Sequence, residues 1–139
     1  MWLGDTGIGM SRENVEVVRA VWQAFARREF PAEAFADEVK WHTAADMPER
    51  ETCTGVEAIQ RMLATGWEHV VDPGLEAEEL IDAGARVVVR WRGWGTGRAS
   101  GLPIDWHEAH TYELRDRKVI EVREYRSWEE ALEAAGVRR

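Results

Sequence analysis

Two residues, His110 and Glu124, carry the strongest chemical signal in this chain. Along 104–114 the residues alternate, which is the period of a strand. One face reads Ile104, Trp106, Glu108, His110, Tyr112 and Leu114, the other Asp105, His107, Ala109, Thr111 and Glu113. The first set is the more apolar and is expected to face the core. In the next strand Ile120, Val122 and Glu124 form a more apolar set than Val119, Glu121, Arg123 and Tyr125. An odd-numbered hairpin loop makes the two chosen faces coincide, with Glu124 directly or diagonally across from His110. An imidazole titrates near neutrality, so it can take up and return a proton at working pH. A nearby carboxylate would fix its tautomer and favour its charged form. Such a pair could abstract a proton from an acidic C–H or activate water. Glu108, on the same face, is read as a carboxylate at a pocket mouth or sheet edge.

Other groupings point elsewhere. His107-Glu108-Ala109-His110 invites a zinc reading, but the two histidines are three apart in a strand and fall on opposite faces. No metal site and no cofactor are expected. His42 shares a face with Lys40, away from Val39, Trp41 and Thr43, and His69 lies late in a helix, at the surface. Cys53 is the sole cysteine, so no internal disulfide can form. The aromatic residues are a further signal. Trp41, Trp91, Trp106 and Tyr112 fall on the chosen inner faces, and Trp22 faces in from the first helix. With Thr43 and Val122 they would line a pocket suited to a flat or cyclic apolar ligand.

These residues need a frame. Val15, Val18, Trp22 and Phe25 recur at helical spacing within a helix over 11–28, with Ser11 as its cap. Pro31 ends that helix and opens a short one to Ala36. Val39 to Thr43 alternates as a strand, and 44–53 is a polar loop. Thr54-Gly55-Val56-Glu57 has the pattern of a capping box, and the helix it opens ends near Asp72-Pro73-Gly74. Four strands follow as hairpins: 75–81, 86–94, 102–114 and 119–126. Gly93, Gly95, Gly97 and Gly101 favour a bulge or open loop after the second of them. Ser127 to Glu130 is another capping box, opening a short helix that Gly136 can close. The pattern is α+β: four helical segments, on one face of a curved, mostly antiparallel sheet. Residues 1–10 read as a flexible N-terminal extension and 11–139 as one domain.

Composition narrows the functional classes. With 139 residues and 45% hydrophobic content the chain can form one packed domain. A net charge of −8 with no basic arm argues against nucleic-acid binding. No apolar run is long enough to cross a membrane, and no secretory signal pattern opens the chain, so a cytoplasmic location is expected.

On these residues the chain resembles the SnoaL-like branch of the nuclear-transport-factor-2-like superfamily. "SRENVEVVRAVWQAFARREF" resembles that family's opening helix, "FADEVKWHT" its first strand and "TGVEAIQRML" its third helix. "IDAGARVVVRWRGWGTG" and "HEAHTYELRDRKVIEVREYRSWEEAL" resemble its sheet and tail. The resemblance implies a cone-shaped α+β barrel around a pocket. Its members include isomerases, epoxide hydrolases, polyketide cyclases, dehydratases and non-enzymatic binding proteins, many of them homodimers that pair through the sheet. His110 stands where isomerases and cyclases carry a functional Asp, and Glu124 where epoxide hydrolases carry a catalytic one. The isomerases' first-helix Tyr is replaced by Val21 or a neighbour, and the hydrolases' Arg and Asp by Trp91 and Gly93. Arg117 replaces the turn's usual Gly.

Two functional classes follow. One is a cofactor-free lyase, isomerase, cyclase or hydrolase acting on an apolar cyclic substrate through His110 and Glu124. The other is a non-catalytic ligand-binding or scaffold homodimer. A pocket open to solvent with His110 at its floor favours the first. A pocket sealed by tryptophans, or a His110 with both nitrogens spent on protein partners, favours the second. Val88, Trp94 and Tyr125 among Arg90, Arg92 and Arg123 on the outer sheet face mark the expected dimer contact.

Overall fold

The computed structural model describes residues 3–44 and 51–138. Helix α1 spans Leu3–Ala26 and is followed by a short 3-10 turn at Ala32–Ala34. Strand β1 (Phe35–His42) pairs with the short β2 (Thr52–Thr54), then comes α2 (Val56–Glu68). Four longer strands follow: β3 (Val70–Ala83), β4 (Arg86–Gly97), β5 (Pro103–Arg115) and β6 (Lys118–Tyr125). Helix α3 (Trp128–Ala135) closes the chain. The six strands form one sheet in the order β2-β1-β6-β5-β4-β3, antiparallel except for the parallel β1–β6 pair. This is the α+β architecture expected from the sequence.

The core lies between the concave face of the sheet and α1 and α2. Val18, Val21 and Phe25 of α1 pack with Val39, Trp41, Val87, Val89, Tyr112 and Val122, and Ile59 joins them from α2. Helix α3 takes the opposite face of the sheet, a departure from the expectation that the helices share one face. Its Ala131 and Leu132 cover Val88 and Ala109. Val88 is therefore fully buried and not part of an exposed contact patch. The outer-face arginines are also engaged within the chain: Arg90 with Glu79, Arg92 with Asp105 and Arg123 with Glu121.

Several boundaries differ from those read in the sequence. Helix α1 starts at Leu3, so Ser11 is an interior position and not a cap; the glycines before it weaken a helix without forbidding one. Thr54 makes no capping hydrogen bond, and Gly55 takes the cap position of α2 with φ of 93°. The helix ends at Glu68, and Asp72-Pro73-Gly74 belongs to β3. That is tolerated because β3 is an edge strand and its register with β4 shifts between Val71 and Gly74. Gly74 also admits a close approach: a Cβ there would sit 2.0 Å from the indole of Trp94. The glycine-rich end of β4 stays paired as far as Gly97. β2 overlaps the end of the expected polar loop at 52–53, and 45–50 of that loop fall outside the described residues. At the C-terminus, Ser127 accepts from the Glu130 N–H at 3.2 Å and Gly136 closes α3 in the left-handed conformation, as expected.

The β5–β6 hairpin sets the register on which the site depends. Its loop has two residues, Asp116 and Arg117, both at positive φ (52° and 64°) as a primed turn requires. Arg117 bears that conformation while its guanidinium holds Glu13 at 2.9 Å. The pairing then shifts between Glu113↔Glu121 and Leu114↔Val119, leaving Ile120 as a bulge. An even loop plus one bulge has the effect of an odd loop, and His110 lies directly opposite Glu124. The same bulge overturns one assignment: Val119 is fully buried in the core, whereas Ile120 is only half-buried. Val119→Thr should therefore cost about 1–3 kcal/mol for burying a hydroxyl, and Ile120→Thr clearly less. Chemical denaturation of the two variants checks this.

Candidate functional site

A cavity of about 440 Å³ opens between α1, α2 and the concave sheet face. Its walls are chiefly apolar, with Trp22 and Phe25 from α1 and Met62, Leu63 and Trp67 from α2. Leu75, Trp91, Gly93 and Ile104 face them from the sheet. Gly93 makes space there, since a Cβ would come within 3.0 Å of the Trp91 ring. Polar groups are few and converge: Glu108, His110 and Glu124 line the cavity, with Thr43 and Arg28. Trp106 lies at the solvent side with 40% of its surface exposed, whereas His110 is 3% exposed, at the floor.

The alternation of β5 and the bulge of β6 bring the three ionisable groups together, one ligand atom of each within 4.8 Å of the others. The direct partner of His110 is Glu108: Nε2 and Oε1 stand 3.0 Å apart. Glu108 is buried, so it is not the mouth or edge carboxylate expected from the sequence. Glu124, opposite His110 in the ladder, is instead held by the indole N–H of Trp41 at 2.7 Å and the Ala44 N–H at 3.3 Å. Trp91 donates its indole N–H to His110 Nε2 at 3.1 Å, and Trp106 donates to Glu108 at 3.3 Å. Three indoles thus hold three acid–base groups. On the other side of the ring, His110 Nδ1 meets the Tyr112 hydroxyl at 3.4 Å.

The donor count at Nε2 limits the proton arrangements. An indole N–H can only donate, so its bond to Nε2 needs the lone pair there. The Glu108 contact then needs its proton on the carboxyl and must share that one lone pair with the indole. Alternatively Nε2 carries the proton toward an ionised Glu108 and the Trp91 bond is lost. Moving one proton across 3.0 Å interconverts the two arrangements. A cation could take one ligand atom from each of the three residues, but Trp91 already aims a hydrogen at the Nε2 of His110.

The remaining expected residues divide. Trp22, Trp41, Thr43, Trp91, Trp106 and Glu108 line the cavity with His110 and Glu124. Tyr112 and Val122 do not: both are fully buried in the packed core. The burial of Tyr112, more than the nearby carboxylates of Glu124 and Glu108, pushes its phenol well above the ordinary value. Among the described residues the buried indole N–H of Trp22 has no hydrogen-bond partner. His107 is exposed beside Asp105 at 3.1 Å, away from His110, and His42 pairs with Glu121 at 2.7 Å outside the cavity. Arg28 was not singled out by the sequence, since a helix-end arginine carries no pattern that sets it apart.

The chain belongs to the SnoaL-like domain family, whose model matches residues 18–122. No curated protein matches it. Among solved structures it is similar to an NTF2-like protein of unknown function from Burkholderia pseudomallei, at 21% identity and a TM-score of 0.72. That match covers 87% of this chain and 95% of the other. It is likewise similar to a candidate SnoaL-like polyketide cyclase from Jannaschia sp. CCS1, at 18% identity and a TM-score of 0.73, over 92% and 94% of the two chains. A third is TerC, co-crystallised with polyporic acid, at 22% identity and a TM-score of 0.70, over 89% and 98%. At these identities the likeness shows the fold. Among the described residues no helix is long and apolar enough to cross a membrane.

Two predictions test the site's construction. Trp41→Phe removes the donor to Glu124 and should cost about 2–4 kcal/mol in urea unfolding, combining a charged hydrogen bond with a small cavity. Tyr112 gives a pH dependence. Its folded pKa is raised, so the unfolded chain loses the proton first, and stability falls once pH rises past the unfolded value near ~10. The slope should approach about 1.4 kcal/mol per pH unit for one proton and vanish in Tyr112→Phe.

Proposed function

We propose that this protein is a cofactor-free enzyme that moves a proton on a flat or cyclic apolar small molecule, within the lyase, isomerase, cyclase or hydrolase classes. The observation that carries this reading is the cluster itself. Glu108, His110 and Glu124 converge at one floor of an otherwise apolar cavity, two of them 3.0 Å apart. In such surroundings a hydrogen-bonded His–Glu pair can take a proton from a weakly acidic C–H and return it at a second atom. His110 is the base, Glu108 its hydrogen-bonded partner, and Glu124 a second carboxylate set by Trp41. That TerC is co-crystallised with an organic acid is in keeping with a small-molecule ligand.

One observation favours the second reading, a non-catalytic ligand-binding protein: both nitrogens of His110 have protein partners. Deuterium exchange at the methylene of anthrone, followed by NMR in D₂O, separates the two. On the catalytic reading wild type accelerates exchange, His110→Ala loses at least about 100-fold and Glu108→Gln loses less. Binding of anthrone with no exchange in either protein would establish the binding reading.

We further propose a two-fold homodimer paired through the part of the outer sheet face around Arg92 and Arg123, cytoplasmic in location. Sedimentation at tens of micromolar, roughly the range of modest interfaces, should give the mass of two chains; one chain would contradict it.

A further inference from the structure

The cavity has an electrostatic axis. Its floor holds Glu108, His110 and Glu124, and the chain as a whole carries a net charge of −8. Among the described residues that line the cavity, Arg28 is the one cationic side chain. It is exposed, and therefore stands on the rim.

Its placement there is built. Arg28 follows the last turn of α1 at φ 60°, the left-handed conformation that glycine adopts most readily. Its N–H bonds the Phe25 carbonyl and the next N–H bonds Ala24, closing the helix in the usual left-handed manner. Glycine would close this turn with less strain, so the backbone gives no reason for arginine. The side chain crosses to β3, where Nη1 donates to the Pro73 carbonyl at 3.0 Å. Pro73 also lines the cavity. A guanidinium has five N–H donors in a planar fork, and this bond uses one. Among the described residues Arg28 forms no ion pair, while neighbouring Arg27 is paired with Glu29 at 2.8 Å.

We propose that Arg28 is a specificity-determining residue that binds an anionic group on the ligand. The ligand class is then an apolar ring compound with a carboxylate, sulfonate or phenolate at one end, its uncharged end turned toward the floor. The opposite orientation would press an anion against the acidic side chains of Glu108 and Glu124. This rests on the reading that the cavity takes a ring molecule, and it is independent of any catalysis at His110.

The test uses two dyes of one skeleton: the anion 1-anilinonaphthalene-8-sulfonate and its neutral analogue N-phenyl-1-naphthylamine. Each is titrated by fluorescence, with the indole NMR signals of Trp91 and Trp106 reporting occupancy of the cavity. Arg28→Gln should weaken the anion roughly five- to tenfold and the neutral dye less than twofold, with Arg28→Lys between. Arg28→Gly should lose the same affinity with an unchanged or raised melting temperature, which separates lost recognition from lost folding. Equal losses for the two dyes, or none for the anion, would overturn the proposal and leave the cavity reading standing. Failure of both dyes to move the two indole signals would overturn both.

Discussion

A carboxylate taken out of water needs donors, and in this protein tryptophan supplies them. Trp41, Trp91 and Trp106 each aim an indole N–H at one of Glu124, His110 and Glu108. An indole suits the task because it adds a large apolar surface and a single fixed donor. The same residues therefore build the cavity wall and satisfy the groups that interrupt it. Removing one donor leaves a buried acceptor exposed to the full cost of desolvation. The clamp also fixes rotamers: with the indoles held by packing, the acid–base groups have little freedom to turn away from the cavity.

The fold serves this arrangement at two points. The bulge at Ile120 places Glu124 opposite His110, and without it the neighbouring Arg123 would stand there. Gly93 leaves the space that the Trp91 ring occupies. Helix α3, on the convex face, closes a separate apolar cluster around Val88 and leaves the cavity side to α1 and α2.

Much of this was legible in the sequence. Alternation along 104–114 places His110 inward whatever the exact register, and the apolar bias of 120–124 places Glu124 with it. The bulge was not legible, since its site at Ile120 shows no glycine or other local mark, and Val119 and Ile120 were accordingly exchanged. Pro73 reads as a stop, and only its position in an edge strand lets β3 run through it. The burial of Glu108 was also hidden. A carboxylate is rarely buried unless partnered, and its partners Trp106 and His110 are visible as such only once all three side chains share one face. Tyr112 and Val122 lie on the expected face but are fully buried in the packed core, away from the cavity lining.

The indole clamp can be tested directly by hydrogen–deuterium exchange of the tryptophan side-chain N–H groups, followed in ¹H–¹⁵N spectra. Trp41, which is 1% exposed and bonded at 2.7 Å, should exchange on the timescale of the core strand amides. Trp91 should follow it, and Trp106, 40% exposed, should exchange fastest of the three. Indole protons of Trp41 and Trp91 that exchange as fast as that of Trp106 would contradict the clamp.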